Sequence, residues 1–246
     1  MKRLFTIFSL SLIFLGLSSC TIDNFTGPDA SVHGSFVDSK DNTTLVGTDT
    51  QNGNQITVYE QTFVQDKTNA ETWYVMNTGE YRNNLVFAAD YIIEFKNTNF
   101  YPYTGDTKWT VSKGDNEKNF VVTPFLRVID PKIVKEGNKA VATFRIEAGG
   151  PDVKLNEAKL FVWTDKYVGN QFNLKIGGEA AYTTKEDIDP NKVYRLVIDQ
   201  DLNKSIMKYT GMKYYFRIGV QALETNAVKK YGTIRHNYSP LVVLDF

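Results

Sequence analysis

The chain of 246 residues balances 28 Lys and Arg against 28 Asp and Glu, so it has no basic excess with which to hold nucleic acid. One cysteine and two histidines exclude an internal disulfide framework and a Cys/His zinc cluster. The length suits one large or two ordinary domains, each held together by burial alone.

Lys2 and Arg3 open the chain, an apolar run follows from Leu4 to Leu17, and small residues close it as Leu17-Ser18-Ser19-Cys20. A short basic start, an apolar middle and small residues before a cut mark residues 1–19 as an export signal. The run falls short of the roughly 20 apolar residues that span a bilayer. Leu-Ser-Ser-Cys resembles the lipobox of bacterial lipoproteins. That resemblance implies that Cys20 is acylated and becomes the first residue after cleavage. It also accounts for a lone thiol, which would be a hazard if left free in an exported chain. Several acyl chains, at about 0.8 kcal/mol per buried methylene, make a stable membrane anchor. Loss of residues 1–19 removes Lys2 and Arg3 and leaves 26 basic and 28 acidic side chains, net −2.

Residues 20–30 hold Asp23, Asn24, Gly27, Pro28 and Asp29 and read as a tether between lipid and fold. Beyond them, period-two segments alternate with Asn, Gly, Asp and Thr clusters, the pattern of short strands in sandwiches. A first set covers residues 32–37, 55–59, 72–76, 91–95, 108–111 and 120–128. A second covers 139–148, 158–163, 193–198, 212–222 and 241–244. In the strand at 212–222, Tyr214, Phe216, Ile218, Val220 and Ala222 share one face and Tyr215, Arg217, Gly219 and Gln221 the other, which predicts one buried and one wet face. Residues 202–209 are the one helical candidate, at most two turns long.

The fold class is therefore all-β, with two consecutive sandwiches at residues 31–124 and 125–246. Pro124 and Pro131 bracket a strand at residues 125–129 that starts or leaves a sheet at its edge. The turn Thr210-Gly211-Met212-Lys213-Tyr214 resembles the approach to the F strand of a fibronectin type III domain, where a tyrosine ties the corner. The run from Thr78 to Tyr91 resembles a transthyretin or carboxypeptidase-regulatory sandwich, with Asp90 where such domains favour glycine.

Four landmarks taken together resemble one family: Phe120-Val121-Val122-Thr123-Pro124-Phe125-Leu126-Arg127-Val128; Leu160-Phe161-Val162-Trp163-Thr164 with Val168-Gly169-Asn170; Tyr214-Tyr215-Phe216-Arg217-Ile218-Gly219; and Arg235-His236-Asn237-Tyr238-Ser239. The family is that of two-domain lipoproteins of unknown function from Gram-negative glycan-utilisation operons. The resemblance implies a lipid-anchored, surface-exposed outer-membrane protein that accompanies a TonB-dependent transporter and its partner lipoprotein. It implies no reaction and no cofactor.

The residues themselves offer little catalysis. His33 and His236 lie in different domains, without the clustered ligands a metal wants or a base poised beside a nucleophile. Asp199, Asp201 and Asn203 have the spacing that opens a calcium loop, but Lys204 and Thr210 stand where glycine and glutamate are needed. Asp38, Asp41 and Asn42 suit a hairpin turn better than an ion. No pair of carboxylates can be singled out for glycoside hydrolysis, so an enzyme is the remote reading. Aromatic rings beside polar side chains are the stronger lead. Tyr101, Tyr103 and Trp109, in and after the run Phe100-Tyr101-Pro102-Tyr103-Thr104-Gly105-Asp106, are the expected glycan platform, with Trp73-Tyr74 and Asn237-Tyr238 as further candidates. The expected function is a non-catalytic accessory that binds a poly- or oligosaccharide or its transporter. The alternative is a spacer or scaffold with protein partners only.

Overall fold

The computed structural model describes residues 26–62, 67–151, 153–223 and 234–246, so the expected export signal and Cys20 lie outside the described residues. The protein is all-β and built as two consecutive sandwiches. Among the described residues no helix is long and apolar enough to cross a membrane.

The first sandwich contains β1 (Ala30–Asp38), β2 (Gln55–Glu60), β3 (Ala70–Tyr74), β4 (Glu80–Val86), β5 (Ala89–Lys96), β6 (Lys108–Val111), β7 (Gly114–Glu117) and β8 (Phe120–Val122). One sheet runs β3-β2-β5-β6. In the other, β1 pairs antiparallel with β4 on one side and parallel with β7 and then β8 on the other. This is the strand order of a transthyretin-type sandwich. Alternation along β1 sends Val32 and Phe36 inward, both fully buried. The Phe36 ring centre lies 5.3 Å from Phe95, 5.4 Å from Phe100 and 5.3 Å from Phe120, and burial of each such ring is worth about 1.5–3 kcal/mol.

The second sandwich contains β9 (Leu126–Glu136), β10 (Lys139–Ala148), β11 (Leu155–Trp163), a short 3-10 turn at Gly178–Ala180, β12 (Ala181–Thr183), β13 (Tyr194–Asp199), β14 (Lys213–Ala222), β15 (His236–Tyr238) and β16 (Val242–Asp245). One sheet is β13-β10-β9. The other is β12-β11-β14, with both β15 and β16 on the far side of β14. This is the division of strands in a fibronectin type III sandwich. Tyr214 is buried with its ring edge-on to Phe246 at 6.2 Å.

Three local expectations change. The segment at 120–128 is not one strand. It breaks where Tyr101 N–H donates to Thr123 O and Phe125 N–H to Asn99 O, carrying the chain from one sandwich to the other. β9 runs through Pro131, tolerated because β9 is an edge strand and Asp130 with Pro131 forms a bulge opposite Phe144. Residues 202–209 turn rather than form a helix. Asp199 Oδ1 accepts from Asp201 N–H, and Asn203 Nδ2 donates to Asp199 O, bonds that compete with a helical ladder.

Candidate functional site

The two sandwiches meet in a junction built from polar groups. Asn99 is fully buried, and its amide nitrogen donates both to Gly47 O at 2.7 Å and to His236 O at 2.8 Å, one acceptor in each sandwich. Asn237 answers by donating to Asn99 O and accepting from Leu126 N–H. Arg217 reaches out of β14 to Thr48 O and Asn77 O in the first sandwich and to Ser239 O in its own. The close approach needs bare backbone at Gly47, where a Cβ would sit 2.1 Å from an Arg217 nitrogen. The expectation of a wet face on β14 fails here: the first sandwich covers Arg217, and the rings of Phe161 and Tyr238 crowd Gly219.

A cleft of about 570 Å³ opens on one side of this junction, within the range of small-ligand sites. Tyr101, Pro102 and Tyr103 form one wall, Ser39, Asn119 and Thr123 lie below, and Gly149-Gly150-Pro151 of the second sandwich closes it. The two tyrosines are rooted in different bodies. Tyr101 stands edge-on to Phe125 at 4.9 Å, donates to Pro151 O and packs on the second core. Tyr103 stands edge-on to Phe95 at 5.2 Å and packs on the first. Burial raises the Tyr103 phenol above its ordinary range, so its hydroxyl stays a donor at neutral pH. A Cβ at Gly150 would come within 3.0 Å of the Tyr101 ring. Among the described residues no charged side chain lines this cleft. Trp109 stays outside it, half-buried on β6, with Trp73 edge-on at 6.1 Å and the Lys118 ammonium 5.5 Å above its ring. The geometry thus joins Tyr101 with Tyr103 and separates Trp109 from both.

A second cleft, of about 720 Å³, lies on the other side of the connecting chain, between Leu45, Thr78 and Lys166 on one wall and Val128, Asp130 and Leu241 on the other. Its floor holds Arg217, Tyr238 and the ion pair of Asp38 with Arg127. The pair Lys40–Glu147, at 2.6 Å, bridges the sandwiches at the same place.

The remaining candidates fall into structural roles. Asn237 and Tyr238 are buried in the junction, Tyr238 donating to Asp49 Oδ1 at 2.6 Å. Trp73 is core while Tyr74 beside it is exposed. His33 lies 3.1 Å from Asp115, and His236 Nε2 lies 3.2 Å from Glu157 Oε1. Asp199 is taken up by Lys139 and by the backbone of its turn, and Asp41 caps Thr43 and Thr44. Asp38 serves Arg127. Among the described residues, no group of three or more His, Cys, Asp or Glu converges to hold a metal ion. Sequence reasoning missed Arg217, Asn99 and Asp49. Arg217 on an otherwise apolar strand was the available signal, because a charge there needs a partner that the strand does not supply.

Two β-sandwiches joined through a buried polar junction, with clefts on either side of the joint, define a two-domain all-β architecture. The chain belongs to the DUF3823 family: residues 30–123 match its N-terminal domain, described as a protein of unknown function, and residues 126–242 its C-terminal domain of unknown function. A Bacteroides uniformis protein of known structure, named a "putative carbohydrate binding protein", is 44% identical, with 89% of this chain and 100% of that one covered and a TM-score of 0.81. DUF3823 proteins from Parabacteroides merdae and Bacteroides ovatus share the fold at 19% and 18% identity, with TM-scores of 0.70 and 0.67. Coverage is 89% of this chain and 100% of that one for the first, and 88% and 98% for the second. No curated protein matches this chain.

Proposed function

We propose that this protein is a non-catalytic, lipid-anchored accessory of a glycan capture and import system, and that the cleft beside Tyr101 and Tyr103, whose described lining is neutral, holds the sugar. In this reading acylated Cys20 fixes it to the outer membrane, facing outward. A TonB-dependent transporter and its partner lipoprotein are the proteins it serves. The observation that carries the glycan assignment is the chemistry of the cleft lining. Tyrosine rings offer faces to apolar C–H surfaces, while Ser39, Thr104 and Thr123 offer neutral hydroxyls. That mixture suits an uncharged carbohydrate better than the ion-paired groups of the second cleft do. The name of the Bacteroides uniformis relative supports the same direction.

Affinity electrophoresis through gels cast with neutral polysaccharides tests the reading. The natural protein should be retarded by at least one of them. Tyr101→Ala and Tyr103→Ala should each run as non-binding controls, with thermal melting confirming that both remain folded. Unchanged retardation of both variants would remove the cleft from the account.

A further inference from the structure

The start of β1 carries an apolar rim beside the tether. Ala30 pairs with Val86 on one side and Gly114 on the other, so the chain joins the fold between the end of β4 and the start of β7. Asp29 binds both neighbours: its Oδ1 accepts from Ala88 N–H at 3.0 Å, and its Oδ2 lies 3.1 Å from Lys113 Nζ. Around this point stand Leu85, 73% exposed, and Phe87, 47% exposed. Leu85 lies where the β4 register shifts opposite Ser31, and there its N–H donates to Asn83 Oδ1 rather than to the ladder. The adjacent Asp29 is neutralised by Lys113, which leaves no unpaired carboxylate at the strand's first turn.

We infer that this rim, Leu85 with Phe87 beside the Asp29–Lys113 pair, docks onto the lipid surface to which the chain is tethered. The inference rests on the lipid-anchor reading and adds an orientation to it. Eight residues separate Cys20 from Asp29, and their nine backbone steps reach no more than about 32 Å even fully extended. The end of the first sandwich that is held closest is thus the end that exposes a leucine and a phenylalanine. Side chains of this type enter the boundary between headgroups and acyl chains, with a nearby lysine favoured by anionic lipid. β1 then runs away from the membrane for nine residues to Asp38, which grips Arg127 of the second sandwich. At about 3.3 Å per residue, the strand stands the junction and its clefts roughly 30 Å above the docked rim.

The test uses the full acylated protein on vesicles with phosphatidylethanolamine in excess over phosphatidylglycerol. Phe87→Cys and, separately, Lys208→Cys carry a polarity-sensitive NBD label, because acylation blocks the chain's one native thiol. Lys208 is exposed and lies past the end of β13, at the far pole of the second sandwich. Flotation with the vesicles, a blue-shifted emission from position 87 and an unchanged emission from position 208 are the expected results. Flotation without a shift at position 87 overturns the docked rim and leaves the anchor intact. A blue shift that is already present without vesicles overturns it too, by tracing the signal to the protein itself. Failure to float, with a free Cys20 by mass spectrometry, overturns the anchor and the docking with it.

Discussion

Arg127 and Arg217 both cross from the second sandwich into the first, and they do so by opposite chemistry. Arg127 meets charge with charge: Nε and Nη2 bond the two oxygens of Asp38 at 2.5 and 2.7 Å, and Nη1 reaches Glu147 at 3.3 Å. The Asp38 bond holds its guanidinium above the ordinary arginine range. Among the described residues no carboxylate makes an ion pair with Arg217, although Asp49 lies near enough to act on its charge. Three backbone carbonyls accept its protons, and its guanidinium carbon lies 4.3 Å from the centre of the Tyr238 ring. Burial pushes it down to about 10, against the opposing pull of Tyr238 and Asp49 nearby, so it remains charged at neutral pH with dipoles and a π face in direct contact. A bidentate pair tolerates some sliding of its partners. Carbonyls of Thr48, Asn77 and Ser239 converge on one guanidinium only when both sandwiches are seated, so Arg217 registers the joint while Arg127 clamps it.

The sharpest way to break this contrast is Arg217→Met. It leaves the buried carbonyls of Thr48 and Ser239 without donors, while Asn77 O keeps only Thr48 N–H, and a loss of about 3–5 kcal/mol is expected. Scanning calorimetry should show the single melting transition of the natural protein divide into two, one per sandwich. A single undivided transition at the natural temperature would deny Arg217 that role. Asp38→Ala is the milder cut, about 2–3 kcal/mol, because Glu147 and Ala148 O still receive Arg127. One cooperative transition, shifted down without splitting, is expected. If Asp38→Ala proved the more costly, the assignment of clamp and register would reverse.

The smallest effect is on pH. The bond to His236 holds the Glu157 carboxyl below its ordinary value of 4.5, against the opposing pull of burial. A carboxylate that ionises more readily in the folded chain stabilises it above the unfolded value and ceases to do so as pH falls through the folded one. Glu94, held low by Lys67 and then Tyr59, adds in the same sense. The melting temperature should fall between about pH 5 and about pH 3. Glu157→Gln should flatten part of that decline, and an identical slope in the variant would assign the loss elsewhere.

Local alternation was legible in the sequence wherever one strand carries its own pattern. Tyr214, Phe216, Ile218, Val220 and Ala222 share a buried face as expected, and Phe36, a lone aromatic in a polar neighbourhood, becomes the centre of the first core. Less legible was what covers the opposite faces, since Arg217 and Gly219 are hidden by segments far away in the chain. The pairing of β1 with β7 and β8 was invisible for the same reason: a parallel contact across more than 80 residues leaves no local trace. At the cleft, the run from Phe100 to Asp106 did mark the aromatic wall. Its other wall, Gly149-Gly150-Pro151, gave no such mark, because glycine contributes there by the absence of a side chain. Trp109 was grouped with the tyrosines by proximity in sequence, and the turn into β6 carries it to a different face.

β1 also has a mechanical consequence. It begins at Ala30 and ends at Asp38, so tension applied through the chain that precedes Ala30 would pull along the strand axis. Its backbone bonds to β4 on one side and to β7 and β8 on the other lie across that axis. They would have to yield together in shear, because no free edge lets them peel apart one by one. The first sandwich is thereby shaped to pass a pull on its N-terminal chain straight through to the second.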